Sequence, residues 1–208
     1  MTAFPVDDIL KGGFGRGEPS WAISPEDHLR SINSQLGTPF GGGPVSQTFS
    51  ALFWLEVLLR ELSPAAALEL GSGSGRVPLL LALHCPGHVV TCDSHELYMG
   101  GDLGRLYERL GITFLKKDVL HRDTAMALMM GMSRPRFVLC DNGNKPLEFD
   151  LYSEFLQQGD VIAVHDNPAE FQADSKVVTS LAEARWLTRW RRKELDADLT
   201  RLAVWFKA

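Results

Sequence analysis

The chain has 208 residues, 45% hydrophobic and 23% charged, a balance that supports one globular domain with a sizeable core. Its formal net charge is −5 and its isoelectric point about 5.7, which leaves no global positive field to grip a nucleic-acid backbone. The longest apolar stretch, around VPLLLAL, is too short to span a bilayer, and the opening MTAFPVDDIL lacks the basic and apolar regions of a secretory signal, so the expectation is a soluble cytoplasmic protein with no nucleic-acid or membrane partner.

Residues 1–45 are rich in Gly and Pro and hold one short helical pattern, SPEDHLRSINSQL, with Ser24 as N-cap, Pro25 at the first helical position and acids in the first turn. With too few apolar residues to build a core, this segment reads as an N-terminal arm or lid on a domain spanning 46–208. From Ser46 the pattern is regular. SQTFSALFWLEVLLREL has helical apolar spacing, AALEL is a short buried strand ending in a glycine loop, and RVPLLLALH is the next helix. HVVTCD, ITFLKKD, RFVLCD and DVIAVHD are further strands. Between them lie the helices GDLGRLYERLG, stopped at Gly111, RDTAMALMMG, and EFDLYSEFLQQG, closed by Gly159, with another over 171–184. The end alternates as an antiparallel pair, WLTRWRRKEL with TRLAVWFKA. Five strand–helix alternations predict an α/β fold, a doubly wound, mostly parallel sheet with an antiparallel C-terminal edge.

In LELGSGSGRVPLL, Gly71, Gly73 and Gly75 stand between a strand and a helix, where backbone can approach a ligand and a helix N-terminus favours an anionic group. Glu69 precedes them and is a further candidate cofactor-binding residue. The spacing is G-x-G-x-G and not the G-x-G-x-x-G of dinucleotide folds. The second strand ends in Asp93, 22 residues after Gly71, where an acid can accept both hydroxyls of a ribose; capping of the next helix is the plainer alternative. Asp118 follows the third strand, placed to meet an adenine amino group. Taken together, ALELGSGSG, VVTCD and FLKKDV resemble the cofactor-binding motifs of class I S-adenosylmethionine-dependent methyltransferases, over about residues 46–208. The resemblance implies that Gly71, Gly73 and Gly75 border the methionine end of S-adenosylmethionine, Asp93 the ribose and Asp118 the adenine.

The fourth and fifth strands end on the same sheet edge as the glycine loop, so Asp141 and Asp166 converge near the reactive end of the cofactor, with Asp141 among the cofactor contacts as well. Two carboxylates side by side repel unless something positive separates them, and Mg²⁺ takes carboxylate, amide and water oxygens, here with Asn167 offering an amide oxygen. The arrangement resembles the metal-dependent O-methyltransferases, which have an acid after strand four and a ligand pair after strand five. Asp141 with Asp166 and Asn167 matches the catechol type; His165–Asp166 corresponds to the pair in the type acting on sugars and antibiotic scaffolds, with histidine in place of an acid. GPVSQTF and CDNGNKPLEFDLYSEFLQQGDVIAVHD look closer to the cephalosporin-hydroxylase-like group of that second type. The third metal ligand is therefore His165 or Asn167. Lys145 is the candidate base, four residues after the acid where the catechol type has three, with a pKa expected to fall beside a cation and a sulfonium; His165 competes for that role.

The implied activity is methylation of a hydroxyl on a sugar or natural-product small molecule. A metal-independent methyltransferase acting on nitrogen or a macromolecule, and a non-catalytic cofactor-binding protein, stand as alternatives. His28 and Arg16 are candidate substrate contacts from the arm. Cys85, Cys92 and Cys140 read as reduced core cysteines, and HCPGHVVTCDSH matches no zinc-ligand spacing. GGFGRG follows no strand and reads as part of the arm, RWRRKEL as the solvated face of an edge strand, and Trp186, Trp190 and Trp205 as packing residues at an edge that also leaves room for a homo-oligomer interface.

Overall fold

The computed structural model describes residues 49–73, 75, 77–85, 87–94, 101–167, 169–171, 187–198 and 200–207. In chain order these form α1 (Phe49–Leu62), β1 (Ala66–Leu70), α2 (Val77–His84), β2 (His88–Asp93), α3 (Gly101–Leu110), β3 (Ile112–Lys116), α4 (Arg122–Gly131), β4 (Arg136–Cys140), α5 (Lys145–Ser153), β5 (Val161–Val164), β6 (Leu187–Arg189), α6 (Arg192–Ala197) and β7 (Ala203–Lys207). The arm over 1–45, with Arg16 and His28, and the helix read over 171–184 (from residue 172 on) lie outside the described residues. Among the described residues no helix is long and apolar enough to cross a membrane.

The strands form one sheet in the order β3-β2-β1-β4-β5-β7-β6. β1 to β5 run parallel, and β7 is antiparallel to both β5 and β6. β1, β4 and β5 are buried along their whole length, which is why they read as near-continuous apolar runs. Their side chains alternate between two cores. Ala67, Val89, Phe137, Leu139 and Ala163 pack under α1, α2 and α3 through Leu55, Leu58, Leu79, Leu81 and Tyr107. Leu68, Leu70, Val90, Val138, Cys140 and Ile162 face α4 and α5, through Met129, Phe149 and Tyr152, with Phe171 and Trp205 completing that side. The sheet is thus doubly wound, and the strand order reverses between β1 and β4, the place where folds of this kind leave a crevice at the carboxyl ends of the strands.

At the opposite, amino ends of β4 and β5 lies a buried ion pair. Arg136 and Asp160 are 2% and 0% exposed. The Arg136 Nη2 and Nε atoms stand 2.5 and 3.0 Å from Asp160 Oδ2, and the Arg136 backbone N–H donates to Asp160 Oδ1 at 2.9 Å. The rest of the guanidinium donates to the carbonyls of Met129 and Phe155, and the Gln157 N–H adds a further bond to Asp160. One charge network therefore ties the ends of α4, β4 and the turn before β5.

Two expectations are corrected. RWRRKEL is not an edge strand: pairing stops at Arg189, Arg191 adopts a left-handed φ of 39°, and Arg192–Ala197 coil into α6 so that Leu195 is buried. The residues that continue, RKELDA, are good helix formers, and the helix keeps its charges in water while giving up one leucine to the core. The edge strand is β6 alone, and the C-terminal strand β7 lies one place inside it. The second correction concerns α5, which begins at Lys145 and not at Glu148, and ends at Ser153 well before Gly159. Asn144 caps it, accepting from the Leu147 N–H at 3.4 Å, and Pro146 occupies the first turn.

Because the Arg136–Asp160 network is fully paired and dry, truncating one partner leaves a buried charge alone. Asp160→Ala should destabilise the domain by about 3–5 kcal/mol, read as a fall in the denaturant midpoint against wild type.

Candidate functional site

The sheet ladder continues one residue past the strand ends. Gly71 N–H donates to the Cys92 carbonyl (2.8 Å), Asp141 N–H to Leu70 (2.9 Å) and His165 N–H to Cys140 (3.1 Å). Each tip is thereby held in register by a carbonyl at the end of its neighbour. Gly71 and Gly75 have φ of 96° and 75°. A Cβ on Gly71 would stand 2.5 Å from the Asp141 carbonyl oxygen, so the tips of β1 and β4 touch through a place only glycine can occupy.

The glycine loop rests on a buried polar chain. Thr91 Oγ1 donates to Glu69, and Ser72 Oγ lies 2.6 Å from Thr91 Oγ1. Burial raises the Glu69 carboxyl well above its ordinary value, and the Asp141 and Asp93 charges add to this against the Thr91 hydrogen bond. Glu69 therefore sits beneath the loop, supporting it. Asp93 Oδ2 accepts from the Gly73 N–H at 3.2 Å, which joins the second predicted acid to the loop. Asp118 is exposed beyond β3, with Oδ1 accepting from the Leu120 N–H at 2.9 Å and Oδ2 3.4 Å from His121 Nε2. Cys85 and Cys92 are buried, and burial pushes both thiols up to about 12. His88 pairs with Thr113.

The tips of β4 and β5 hold the densest charge. Asp141, His165 and Asp166 each present a ligand atom within 4.8 Å of the others. His165 Nδ1 is 3.1 Å from Asp141 Oδ1 and 3.4 Å from Asp166 Oδ2. Lys145 Nζ reaches the same two oxygens at 3.8 and 3.2 Å, and Glu170 Oε2 at 2.6 Å. Arg201 Nη1 lies 3.6 Å from Asp166 Oδ1. Asp166 has a left-handed φ of 59°; its carbonyl accepts from the Glu170 N–H, and the Asn167 N–H donates to the Arg201 carbonyl. Glu170 and Arg201 carried no signal in the sequence, because Glu170 meets a lysine from the β4 tip and Arg201 reaches Asp166 from the segment before β7. The Asn144-Lys145-Pro146 cap was the signal that puts Lys145 at the start of a helix.

The donor set suits a hard divalent cation, which takes one or two carboxylates and completes its shell with water. Burial pulls the Lys145 ammonium down, but the Glu170 hydrogen bond and the Asp141 and Asp166 charges outweigh it, and its pKa is raised. The lowering expected from the sequence concerned a neighbouring cation and sulfonium; the protein's own neighbours are three carboxylates, which hold the proton on the amine. Behind it, buried Glu148 accepts from the N–H groups of Asn142 and Asn144, both at 3.2 Å, and closes the 142–144 turn. Burial raises its carboxyl to about 7 against those two hydrogen bonds.

No protein-family profile matches the sequence, and no curated protein matches it. Solved structures do match the fold. CmcI (the N160 apo structure) aligns over 93% of this chain and 86% of its own, with a TM-score of 0.58 and 19% identity. An O-methyltransferase from Bacillus cereus in complex with SAH aligns over 89% and 91%, with a TM-score of 0.55 and 16% identity. MycE, a methyltransferase of the mycinamycin biosynthetic pathway in complex with Mg, SAH and mycinamycin VI, aligns over 74% of this chain but 48% of its own, with a TM-score of 0.52 and 15% identity. The chain therefore has the Rossmann-like fold of the class I methyltransferases expected from its motifs.

Gly71→Ala should cost about 1–3 kcal/mol from the clash with Asp141, and more than Gly73→Ala, whose Cβ meets nothing within 4 Å; thermal melts of the two variants make the comparison. A second expectation concerns pH. The folded state favours the protonated Glu148 carboxyl, so that contribution is complete below about 4.5 and is lost as pH rises to about 7. Glu148→Gln should flatten this part of the profile, shrinking the change in melting temperature between pH 5 and pH 7.5.

Proposed function

We propose that this chain methylates a hydroxyl of a sugar or natural-product small molecule, using S-adenosylmethionine and a divalent cation, most simply Mg²⁺. The observation that carries the reading is the meeting of the glycine loop with the charged tips: Gly71 touches Asp141, and Asp141 shares its carboxylate oxygens' surroundings with Asp166, His165 and Lys145.

In this reading Gly71, Gly73 and Gly75 leave room for the methionine end of the cofactor, with Glu69 supporting the loop. Asp93 serves the ribose and Asp118 the adenine. Asp141 and Asp166 hold the cation, with His165 or Asn167 completing the protein's share. When bound, S-adenosylmethionine supplies an electrophilic methyl on a sulfonium, and the cation supplies Lewis acidity that makes the acceptor hydroxyl easier to ionise. Orientation is the larger part of what the side chains contribute, since transfer requires the oxygen in line at close range. The hydroxyl proton passes to Lys145 Nζ or to His165. Lys145 can accept it only after releasing its own, and the Asp141 and Asp166 charges that hold that proton are the ones a cation neutralises.

The position of Lys145 favours a second reading. Its ammonium already stands between the two carboxylates and balances them without a metal, which suits a metal-independent methyltransferase on the same fold. Calorimetry separates the cases. S-adenosylmethionine should bind the metal-stripped protein, and Mg²⁺ should give a separate heat. Asp141→Ala and Asp166→Ala should each lose that heat and about 10²–10³-fold in turnover of hydroxylated acceptors, with cofactor affinity largely kept. Wild-type-like turnover in excess chelator would establish the metal-independent enzyme, and no turnover with any acceptor despite cofactor binding would leave a binding protein.

A further inference from the structure

We propose that His165 is a positioning residue, present as the Nδ1–H tautomer, which donates to Asp141 with the Asp166 carboxylate alongside and so steadies the pair, and that it is neither the base nor a metal ligand. The proposal deepens the reading above and rests on it for the cation, though not for the tautomer.

The two ring nitrogens see opposite surroundings. Nδ1 faces Asp141 Oδ1 at 3.1 Å and Asp166 Oδ2 at 3.4 Å, both acceptors. A lone pair there would point at two anionic oxygens, whereas a proton there makes the hydrogen bond to Asp141 Oδ1 and lies beside the Asp166 charge. Nε2 is buried and has no hydrogen-bond partner among the described residues. A proton on Nε2 would be a dry donor without an acceptor, which native structures avoid more strictly than an unpaired acceptor. Each nitrogen independently selects the same tautomer. The ring cannot readily escape the choice, because His165 is 2% exposed and its backbone is fixed to the end of β4 by the bond to the Cys140 carbonyl.

The tautomer decides between the roles. A base needs a lone pair that can reach the acceptor's proton, and the ring's free lone pair is at Nε2, in the interior. A ligand at this cluster needs the Nδ1 lone pair, and freeing it would move the proton to Nε2 and strand it. What remains is a fixed donor. Lys145 Nζ bridges the same two oxygens, Asp141 Oδ1 and Asp166 Oδ2, but it is on a flexible stem and has Glu170 as a partner at 2.6 Å. The bond from the imidazole to Asp141 does not depend on where the Lys145 amine is directed. The histidine thus brings a hydrogen-bond donor to a tip already occupied by two carboxylates.

The first test is long-range imidazole ¹⁵N–¹H spectroscopy of the full chain, with and without MgCl₂, the His165 signals being assigned among the six histidines by their loss in His165→Asn. The expected result is a pyrrole-like Nδ1 and a pyridine-like Nε2 in both states; a pyridine-like Nδ1 in either overturns the proposal. The second test is Mg²⁺ calorimetry on variants whose melts confirm folding. The amide nitrogen of asparagine reaches as far as Nδ1, and that of glutamine as far as Nε2. His165→Asn should keep Mg²⁺ affinity within about threefold, while His165→Gln and His165→Ala lose about tenfold or more. Equal affinity of the Asn and Gln variants would also overturn it. If wild type gives no Mg²⁺ heat, the cation reading fails, and the spectra still decide the tautomer.

Discussion

Gly71 and Asp141 meet where a methyl group would not fit, and the candidate site is arranged around that contact. It lies at the reversal of strand order, where the connection from β1 leaves toward one face of the sheet and the connection from β4 toward the other. Absence of a side chain at Gly71 lets the loop of β1 come against the backbone of β4. The ladder bonds at Gly71, Asp141 and His165 then fix three tips relative to one another with backbone groups alone. The backbone from which those side chains project is therefore fixed without help from the side chains themselves.

Charge sets the second constraint. Asp141, Asp166 and Glu170 bring three carboxylates to one corner, and Lys145 and Arg201 bring two cations. The balance is short of neutral by one positive charge if His165 is neutral. Such a corner attracts a cation and holds the proton on its lysine for the same reason. Cation binding and proton acceptance in the proposed reaction are therefore linked through one pair of carboxylates.

Much of this was legible in the sequence, for identifiable reasons. The parallel strands declared themselves because burial on both faces makes AALEL, RFVLC and VIAV mostly apolar, and because Gly111 ends the helix before β3 with a positive φ. The acids at successive strand ends could be placed on one edge from topology alone. What could not be read were contacts between distant segments: Glu170 on Lys145, Arg201 on Asp166, and Arg136 with Asp160. Charged residues in a sequence look solvated unless the partner is known. The misreading of RWRRKEL had a different cause, since a short segment alternating in polarity fits a strand until a single left-handed residue, Arg191, turns it into a helix.

The Arg136–Asp160 network has a consequence for how this protein can change. It anchors the amino ends of β4 and β5, while the candidate chemistry stands at their carboxyl ends, four or five residues away along each strand. Replacing a satisfied buried ion pair by matched apolar residues is often neutral or stabilising. The fold therefore holds a reserve of robustness that is spatially separate from the tips. Substitutions that adapt the tip loops to a new acceptor, and that loosen the domain in doing so, can be offset by repacking at the far end without touching a residue near the acceptor.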